Sequence, residues 1–182
     1  MTTPLLRLNA RRAGLTLVEL LFVIALVSIL ALAAAPSLGQ LLATIRLRAE
    51  INALHHSVHR ARRESIKRNA YVVVCPSVDG QRCETTGNWN AGWLVYVENG
   101  VARPPQRSPA ELRLAAHRVP DGVRILANRR YFVSRTRRYR ATNGTILACD
   151  QAARVDGRAL VISYTGRPRA VPEKALNGRL AC

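Results

Sequence analysis

The chain has 182 residues, of which 28 are Lys or Arg and 11 are Asp or Glu, so its formal net charge is +17. Hydrophobic residues make up 48% of it, enough for a packed core, which argues against wholesale disorder. Four cysteines are too few for a disulfide-dense miniprotein, and the positive charge indicates a polyanionic partner, either nucleic acid or an anionic membrane surface.

The first feature along the chain is an apolar run at residues 15–35 that contains a single ionisable residue, Glu19. A helix of this length spans about 30 Å, the thickness of the hydrocarbon core of a bilayer. The arginines before the run predict a cytoplasmic amino terminus and an exported remainder. A cleavable signal peptide is the alternative, because small residues near position 35 offer cleavage patterns. The carboxylate inside the run and a helical pattern that continues past Pro36 count against it.

That helical pattern continues to about residue 67. Apolar or small residues recur at alternating spacings of four and three, which predicts one stripe of a helix: Leu47, Ile51, Leu54, Val58, Ala61 and Ser65. We therefore predict a single long helix whose first half is apolar all round and whose second half is amphipathic. Pro36 should kink it near the junction.

Residues 14–20, Gly-Leu-Thr-Leu-Val-Glu-Leu, resemble the processing and methylation motif of type IV pilins and type II secretion pseudopilins. The resemblance implies that a prepilin peptidase cuts after Gly14, that Leu15 becomes the methylated amino terminus, and that Glu19 is the assembly carboxylate. Leu15 departs from the family, where phenylalanine or methionine is more usual. In physical terms, Glu19 can meet the positive amino terminus of a neighbouring subunit, which relieves the cost of a charge in the membrane.

After the helix the chain contains short apolar, β-branched or aromatic runs separated by turn signals. They predict strands at residues 71–75, 93–97, 112–119, 123–126, 130–133, 145–149 and 159–164. Asn99-Gly100 predicts a tight hairpin turn. Because no helical periodicity follows residue 68, we predict an α+β fold of the type IV pilin kind, a long N-terminal α-helix packed on a C-terminal antiparallel β-sheet domain.

Further residues narrow the resemblance to FimT/GspH-type minor type IV pilins, the H-type pseudopilin family of type II secretion. They fall in three stretches, at residues 75–93, 144–150 and 158–169, which include three of the four cysteines, both tryptophans and a Gly-Arg-Pro-Arg sequence. The arginine-rich residues 124–142 depart most from that family. The expected organisation is a prepilin leader at 1–14, a transmembrane and assembly half of the helix at 15–45, its amphipathic half at 46–68, and a globular β-rich domain at 69–182.

The four cysteines fit an exported, oxidised domain, although the sequence allows three pairings. Cys75 and Cys83 flank a turn-like stretch, so a local disulfide between them is the simplest proposal. That choice leaves Cys149 to pair with Cys182, closing a loop that contributes about 3–4 kcal/mol on a chain-entropy estimate.

Other residues that could carry chemistry have simpler interpretations. His55 and His59 share a helix face, but neither their spacing nor that of the cysteines forms a recognised zinc pattern, and we predict no metal and no cofactor. Trp89 and Trp93 lie among apolar strand-like residues, so we expect them in the core instead of stacked on bases. His117 has no partner that would make it catalytic, and the sequence contains no catalytic motif. We therefore expect a protein that is not an enzyme.

Gly166-Arg167-Pro168-Arg169 follows one predicted strand and is expected to form a hairpin tip, because glycine permits the turn and proline fixes φ. It is similar to the Gly-Arg-x-Arg motif with which FimT-type minor pilins bind DNA. The alternative is a solvated turn whose arginines only keep the protein soluble. We predict that Gly166, Arg167 and Arg169 form the main DNA site.

A second cluster of arginines ranks below the hairpin tip as a DNA site, and its members are Arg124, Arg129, Arg130, Arg135, Arg137, Arg138 and Arg140. Arg135 and Arg137 would share one face of a strand, and Arg138 and Arg140 the other, so this segment should be an edge strand or an exposed loop. Tyrosine and phenylalanine residues lie among these arginines, as in proteins that bind single-stranded nucleic acid. Their charge can attract DNA at long range even without fixed contacts.

Together these patterns predict a minor pilin of a type IV pilus that binds DNA through phosphate contacts for uptake in natural transformation. The expected partners are DNA, other pilin subunits, prepilin peptidase and, before assembly, the inner membrane, which the chain crosses once with its amino terminus in the cytoplasm. The globular part then lies in the periplasm or in an extracellular fibre. The alternative function is that of an H-type structural pseudopilin of type II protein secretion.

Overall fold

The computed structural model describes residues 16–99, 105–135 and 140–182. Its first element is an α-helix, α1, at Leu17–Arg68, which confirms the predicted single long helix. The Thr16 hydroxyl accepts a hydrogen bond from the Glu19 N–H at 3.2 Å and so caps the first turn. Asn69, in the left-handed region at φ 50°, ends the helix.

The chain divides into two compact units, Met1–Leu38 and Gly39–Cys182. In the described part of the first unit, residues 16–38, every side chain is exposed, and the helix has a stretch long and apolar enough to cross a membrane. Pro36 lies inside the helix. The predicted kink at this proline stays a prediction.

In the second unit one face of α1 is buried. Its buried side chains include all six residues of the predicted stripe, together with Ala43 and Glu50: Ala43, Leu47, Glu50, Ile51, Leu54, Val58, Ala61 and Ser65. The spacing of four and three therefore identified the packed face correctly, because residues three and four apart lie on one side of a helix.

Eight strands follow the helix in chain order: β1 (Tyr71–Pro76), β2 (Gly92–Glu98), β3 (Arg113–Arg118), β4 (Val123–Ala127), β5 (Phe132–Ser134), β6 (Gly144–Asp150), β7 (Arg158–Ile162) and β8 (Pro168–Pro172). They form two four-stranded sheets, ordered β3-β2-β1-β5 and β4-β6-β7-β8, in which all neighbours are antiparallel. The predicted α+β arrangement, a long N-terminal helix followed by an antiparallel β-sheet domain, is confirmed. The prediction did not give the number of sheets, which is two, and a 3₁₀ turn at Glu173–Leu176 follows β8.

The core lies between α1 and both sheets. Leu54, which is fully buried, belongs to the same apolar cluster as Val95 of the first sheet and Leu160 of the second. Trp89 and Trp93 are both in this cluster, as expected for core residues. Their indole N–H groups donate to the Arg129 carbonyl and the Ser57 hydroxyl, so neither nitrogen is left unsatisfied.

Two other expectations can be compared with the structure. The cysteines form disulfides Cys75–Cys83 and Cys149–Cys182, the pairing that the turn-like spacing had favoured. The expected tight turn at Asn99-Gly100 does not join β2 to β3, because β3 begins only at Arg113. The ladder between these strands extends to Leu112, whose carbonyl accepts from the Val97 N–H. Gly100 itself lies outside the described residues.

Candidate nucleic-acid interface

The connection between β7 and β8 is a short, well-bonded hairpin. The Gly166 N–H donates to the Ser163 carbonyl at 2.9 Å, and the Ser163 N–H donates to the Arg167 carbonyl at 3.1 Å. Gly166 has φ +72°, a left-handed conformation that residues other than glycine adopt at a cost. The tip of this hairpin is therefore residues 163–166, three residues before the predicted tip at residues 166–169.

Arg167 and Arg169 both have exposed side chains. Arg167 stands at the base of the turn, and Arg169 lies within β8, paired with Val161. The expectation that both arginines occupy the tip is thus wrong: Arg167 lies just after the turn and Arg169 is held within a strand. Both side chains line one open depression of about 540 Å³, whose lining residues are His55, Val161, Ser163, Arg167, Pro168, Arg169 and Ala170.

The structure brings Arg140, predicted as part of a separate cluster, to the same hairpin. The Ala141 N–H donates to the Tyr164 carbonyl at 2.9 Å, which ties this segment to the turn. The Arg140 guanidinium carbon lies 5.7 Å from the centre of the Tyr164 ring, within cation–π range. Arg140 is exposed and therefore adds a positive charge beside Arg167.

Helix α1 supplies a further cation near the turn. A Cβ on Gly166 would lie 3.1 Å from the Ala141 Cβ and 3.8 Å from the Arg62 Cδ. The turn thus packs closely against both Arg62 and the segment that carries Arg140. Four arginines from three parts of the chain surround this hairpin, which we call the hairpin site: Arg62, Arg140, Arg167 and Arg169.

The other described arginines of the predicted second cluster make contacts elsewhere. Arg135 follows the edge strand β5, is half-buried, and lies with its guanidinium carbon 5.9 Å from the centre of the Tyr71 ring. Arg129 donates to the Asn143 carbonyl, and Arg124 donates to the Cys182 carbonyl. Arg137 and Arg138 lie outside the described residues.

The histidines of α1 form a small group next to the hairpin site. The ring centres of His55 and His59 are 4.5 Å apart. Burial, followed by the neighbouring charges of His55 and Arg62, lowers the pKa of His59, which favours its neutral form. In the part of the chain that the structure describes, no three metal-binding side chains come together.

His117 contacts two buried residues, Glu50 and Trp93. Its Nε2 lies 2.9 Å from a carboxylate oxygen of Glu50, a residue on the buried face of α1. Its ring stacks on the Trp93 ring, with the two ring centres 4.1 Å apart. This arrangement places the imidazole between the helix and β2. It gives Glu50 a hydrogen-bond partner, as a buried carboxylate requires.

The amino-terminal motif is only partly described. Glu19 lies in the first turn of α1 with an exposed side chain, whereas Gly14 and Leu15 lie outside the described residues. Sequence reasoning also missed Arg62, which belongs to the hairpin site, and Tyr164, which lies in the turn beside it. Tyr164 had a usable signal, because it is an aromatic residue at the end of a predicted strand two positions before the Gly-Arg sequence. Arg62 had none, since its neighbours come from distant parts of the chain.

Comparison with known proteins adds two family matches. A model of the prokaryotic N-terminal methylation motif matches residues 9–35, and the model described as type II transport protein GspH matches residues 50–166. No curated protein sequence matches the chain significantly.

Three solved structures share the fold. Two are crystal structures, in different space groups, of the type IV minor pilin FimU of Pseudomonas aeruginosa PAO1, which are 19% and 18% identical to this chain and each have a TM-score of 0.51. Each match covers 70% of this chain, and the matches cover 94% and 90% of the FimU chains. The third is the minor pseudopilin EpsH of the type 2 secretion system of Vibrio cholerae, at 9% identity and a TM-score of 0.50, over 70% of this chain and 97% of its own. At these identities the likeness concerns the fold.

Proposed function

The chain belongs to the family of type II transport protein GspH, and from that premise we propose that it is a minor pilin of a type IV pilus that binds DNA for uptake in natural transformation. Membership in this family implies assembly with other pilin subunits, and the N-terminal methylation motif implies processing by a prepilin peptidase. The apolar helix and this motif together indicate anchoring in the inner membrane before assembly.

In this proposal the amino-terminal residues perform maturation and assembly. Cleavage follows Gly14, and Leu15 is the residue that is N-methylated. Glu19, exposed in the first turn of α1, pairs with the positive amino terminus of the next subunit. A carboxylate in an apolar segment gains most from such a partner, because burying it alone is costly.

The observation that supports DNA binding is the convergence of four arginines on one hairpin. Among residues 16–99, 105–135 and 140–182, the ion pairs between arginine and carboxylate are Arg68–Glu64 and Arg154–Asp150, so the four arginines of the hairpin site are not neutralised by them. Guanidinium groups hold phosphate oxygens in bidentate geometry. The backbone at these four arginines lies in, or is hydrogen-bonded beside, a strand, a turn or a helix. This fixed backbone lowers the entropy that is lost when a ligand binds.

The mode of recognition follows from what surrounds these arginines. The arginines of the hairpin site lie on or beside a turn, an edge strand and a helix that is packed on the core, and among the described residues no helix projects from this surface to enter a major groove. Contact with phosphates is therefore the available mode, and it carries no sequence preference. Affinity should be modest and should fall steeply as salt displaces the protein from the polyanion.

The test compares the wild-type chain in nonionic detergent with the double variant Arg167→Gln/Arg169→Gln. We expect loss of most duplex binding and of transformation in cells. We also expect the log–log salt slope to become less negative by about 2, because each phosphate contact contributes about 0.9. The fold should persist, since both side chains are exposed and the turn is closed by backbone atoms of Arg167.

A matched control removes the same charge elsewhere. Arg82, in the loop between β1 and β2, and Arg118, in β3, are both exposed and lie in the part of the chain that forms the other sheet. The variant Arg82→Gln/Arg118→Gln should lose little affinity. If both double variants weaken binding equally, only net charge matters and the hairpin site is not specific.

The second candidate function is that of an H-type structural pseudopilin of type II secretion. It is favoured by the description of the matched family and by the fold shared with EpsH. In that case the arginines would face other pseudopilins instead of DNA. Absence of DNA binding by the wild-type chain at low salt would support this function over the first.

A further inference from the structure

Tyr164 stands out among the aromatic residues of the globular unit. Its side chain is 58% exposed, whereas Trp89, Trp93, Tyr96 and Phe132 are buried and Tyr71 and Tyr131 are half-buried. Among the described tyrosine, tryptophan and phenylalanine rings of residues 39–182, this is therefore the one that is open to solvent. It lies at the tip of the hairpin that carries the arginines of the hairpin site, at a position where it covers no core.

The ring is held in place and is not merely exposed. Arg140 lies over it at 5.7 Å, and the Tyr164 carbonyl accepts from the Ala141 N–H. In the same turn, the Ser163 and Thr165 hydroxyls are 2.9 Å apart, which restricts the backbone on both sides of Tyr164. A rigid aromatic side chain loses little freedom when another flat ring stacks on it.

From this placement we propose that Tyr164 is a stacking platform for an unpaired nucleobase, so that the hairpin site binds single-stranded DNA more tightly than duplex. The inference rests on the proposed DNA-binding function and specifies the form of DNA. Arg167 and Arg169 hold phosphates, and Tyr164 takes a base from the same strand. In a duplex the faces of the bases are already stacked on one another, so the ring has no partner there.

This arrangement combines the two parts of sequence-independent single-strand binding, which are cations along the backbone and an aromatic surface for bases. Every base has a π-face, so the contact adds affinity without adding sequence preference. Arg140 contributes by fixing the ring, and its own charge remains available to phosphate.

The experiment measures fluorescence anisotropy of the full chain in nonionic detergent with three labelled probes. They are a single-stranded oligothymidine, an oligonucleotide of the same length whose central nucleotides lack bases, and a blunt duplex. Variants Tyr164→Ala and Tyr164→Phe are compared with the wild type. Circular dichroism checks that each is folded, which an exposed position should permit.

For wild type, affinity should be highest for oligothymidine. Tyr164→Ala should weaken oligothymidine binding about tenfold to a hundredfold, the range for one stacked base. It should leave duplex affinity and the salt slope within about twofold, because no charge is removed. Tyr164→Phe should retain wild-type affinity, and Tyr164→Ala should no longer distinguish the base-bearing strand from the abasic one.

Four results would overturn the inference. Equal losses on single strand and duplex would mean that the ring only supports the turn. Unchanged oligothymidine affinity in Tyr164→Ala, or wild-type binding that ignores the missing bases, would mean that no base stacks there, although phosphate binding at the hairpin site could still stand. Failure of wild type to bind any probe at low salt removes the proposed function as well, so the two failures are distinct.

Discussion

Replacing Leu54 by alanine tests whether one helix face holds the globular unit together. Leu54 is fully buried in the cluster that α1 shares with both sheets, so its side chain contacts the core on all sides. Truncation to alanine removes three carbon atoms. At about 0.8 kcal/mol for each buried methylene, the transfer term alone is about 2.4 kcal/mol.

A cavity term adds to that value because the surroundings are two sheets and a helix, which cannot easily collapse into the space. Buried leucine-to-alanine changes cost about 2–5 kcal/mol in total. We expect a loss of about 3 kcal/mol, a large share of the 5–15 kcal/mol that holds an average domain. With a urea slope of about 1–3 kcal/mol per molar, the midpoint should fall by about 1–3 M.

The assay is urea unfolding of the full chain in nonionic detergent, followed by the fluorescence of the two tryptophans, which both lie in the affected core. The control is Leu41→Ala, the same chemical deletion on the same helix at a side chain that is 55% exposed. It should change stability by less than about 0.5 kcal/mol. Equal effects of the two variants, or a loss below about 1 kcal/mol for Leu54→Ala, would refute the assigned packing face.

Two further predictions concern maturation and pH. Gly14→Leu should leave an uncleaved precursor that stays in the membrane, visible as a larger intact mass; normal cleavage of this variant would contradict the assigned processing site. The Arg154 guanidinium lowers the pKa of Asp150 from the ordinary 3.8 to about 2, so the pair stabilises the fold fully above about pH 4 and loses this effect as pH falls towards 2. Asp150→Asn should lower the urea midpoint at pH 7, and the difference from wild type should shrink below pH 4; a difference independent of pH would show that the charge is not responsible.

Local patterns predicted the helix and its buried face because periodicity depends only on residues three and four apart. The spacing of Leu47, Ile51, Leu54, Val58 and Ala61 was sufficient to identify the side that packs. Seven of the eight strands were located by their apolar runs, with every end within two residues of its predicted position, whereas β8 was not among the predicted strands. Apolar alternation does not show which strands pair, so the division into two sheets was not predicted.

The hairpin site shows a second limit of sequence reasoning. Arg167 and Arg169 were found because they adjoin a local turn signal. Arg140 was assigned to a different cluster, and Arg62 was assigned to none, because their proximity to the hairpin depends on how a helix, a loop and a hairpin pack together. Such contacts between distant segments follow from the tertiary fold and leave no spacing pattern in the chain.

The sequence of β8, which contains Arg169, also bears on the tendency of an exposed edge strand to pair with another chain. β8 is the outer strand of its sheet, and an unpaired edge offers backbone groups to any other chain, which is hazardous for a subunit that assembles with others. Pro168 and Pro172, at the two ends of β8, cannot donate backbone hydrogen bonds, and the exposed Arg169 between them repels a second basic copy. A phosphate group is not excluded by the prolines, because it does not pair with a strand, and it is attracted to the positive charge of Arg169. The composition of β8 therefore disfavours pairing with another copy while leaving the same surface open to a polyanion.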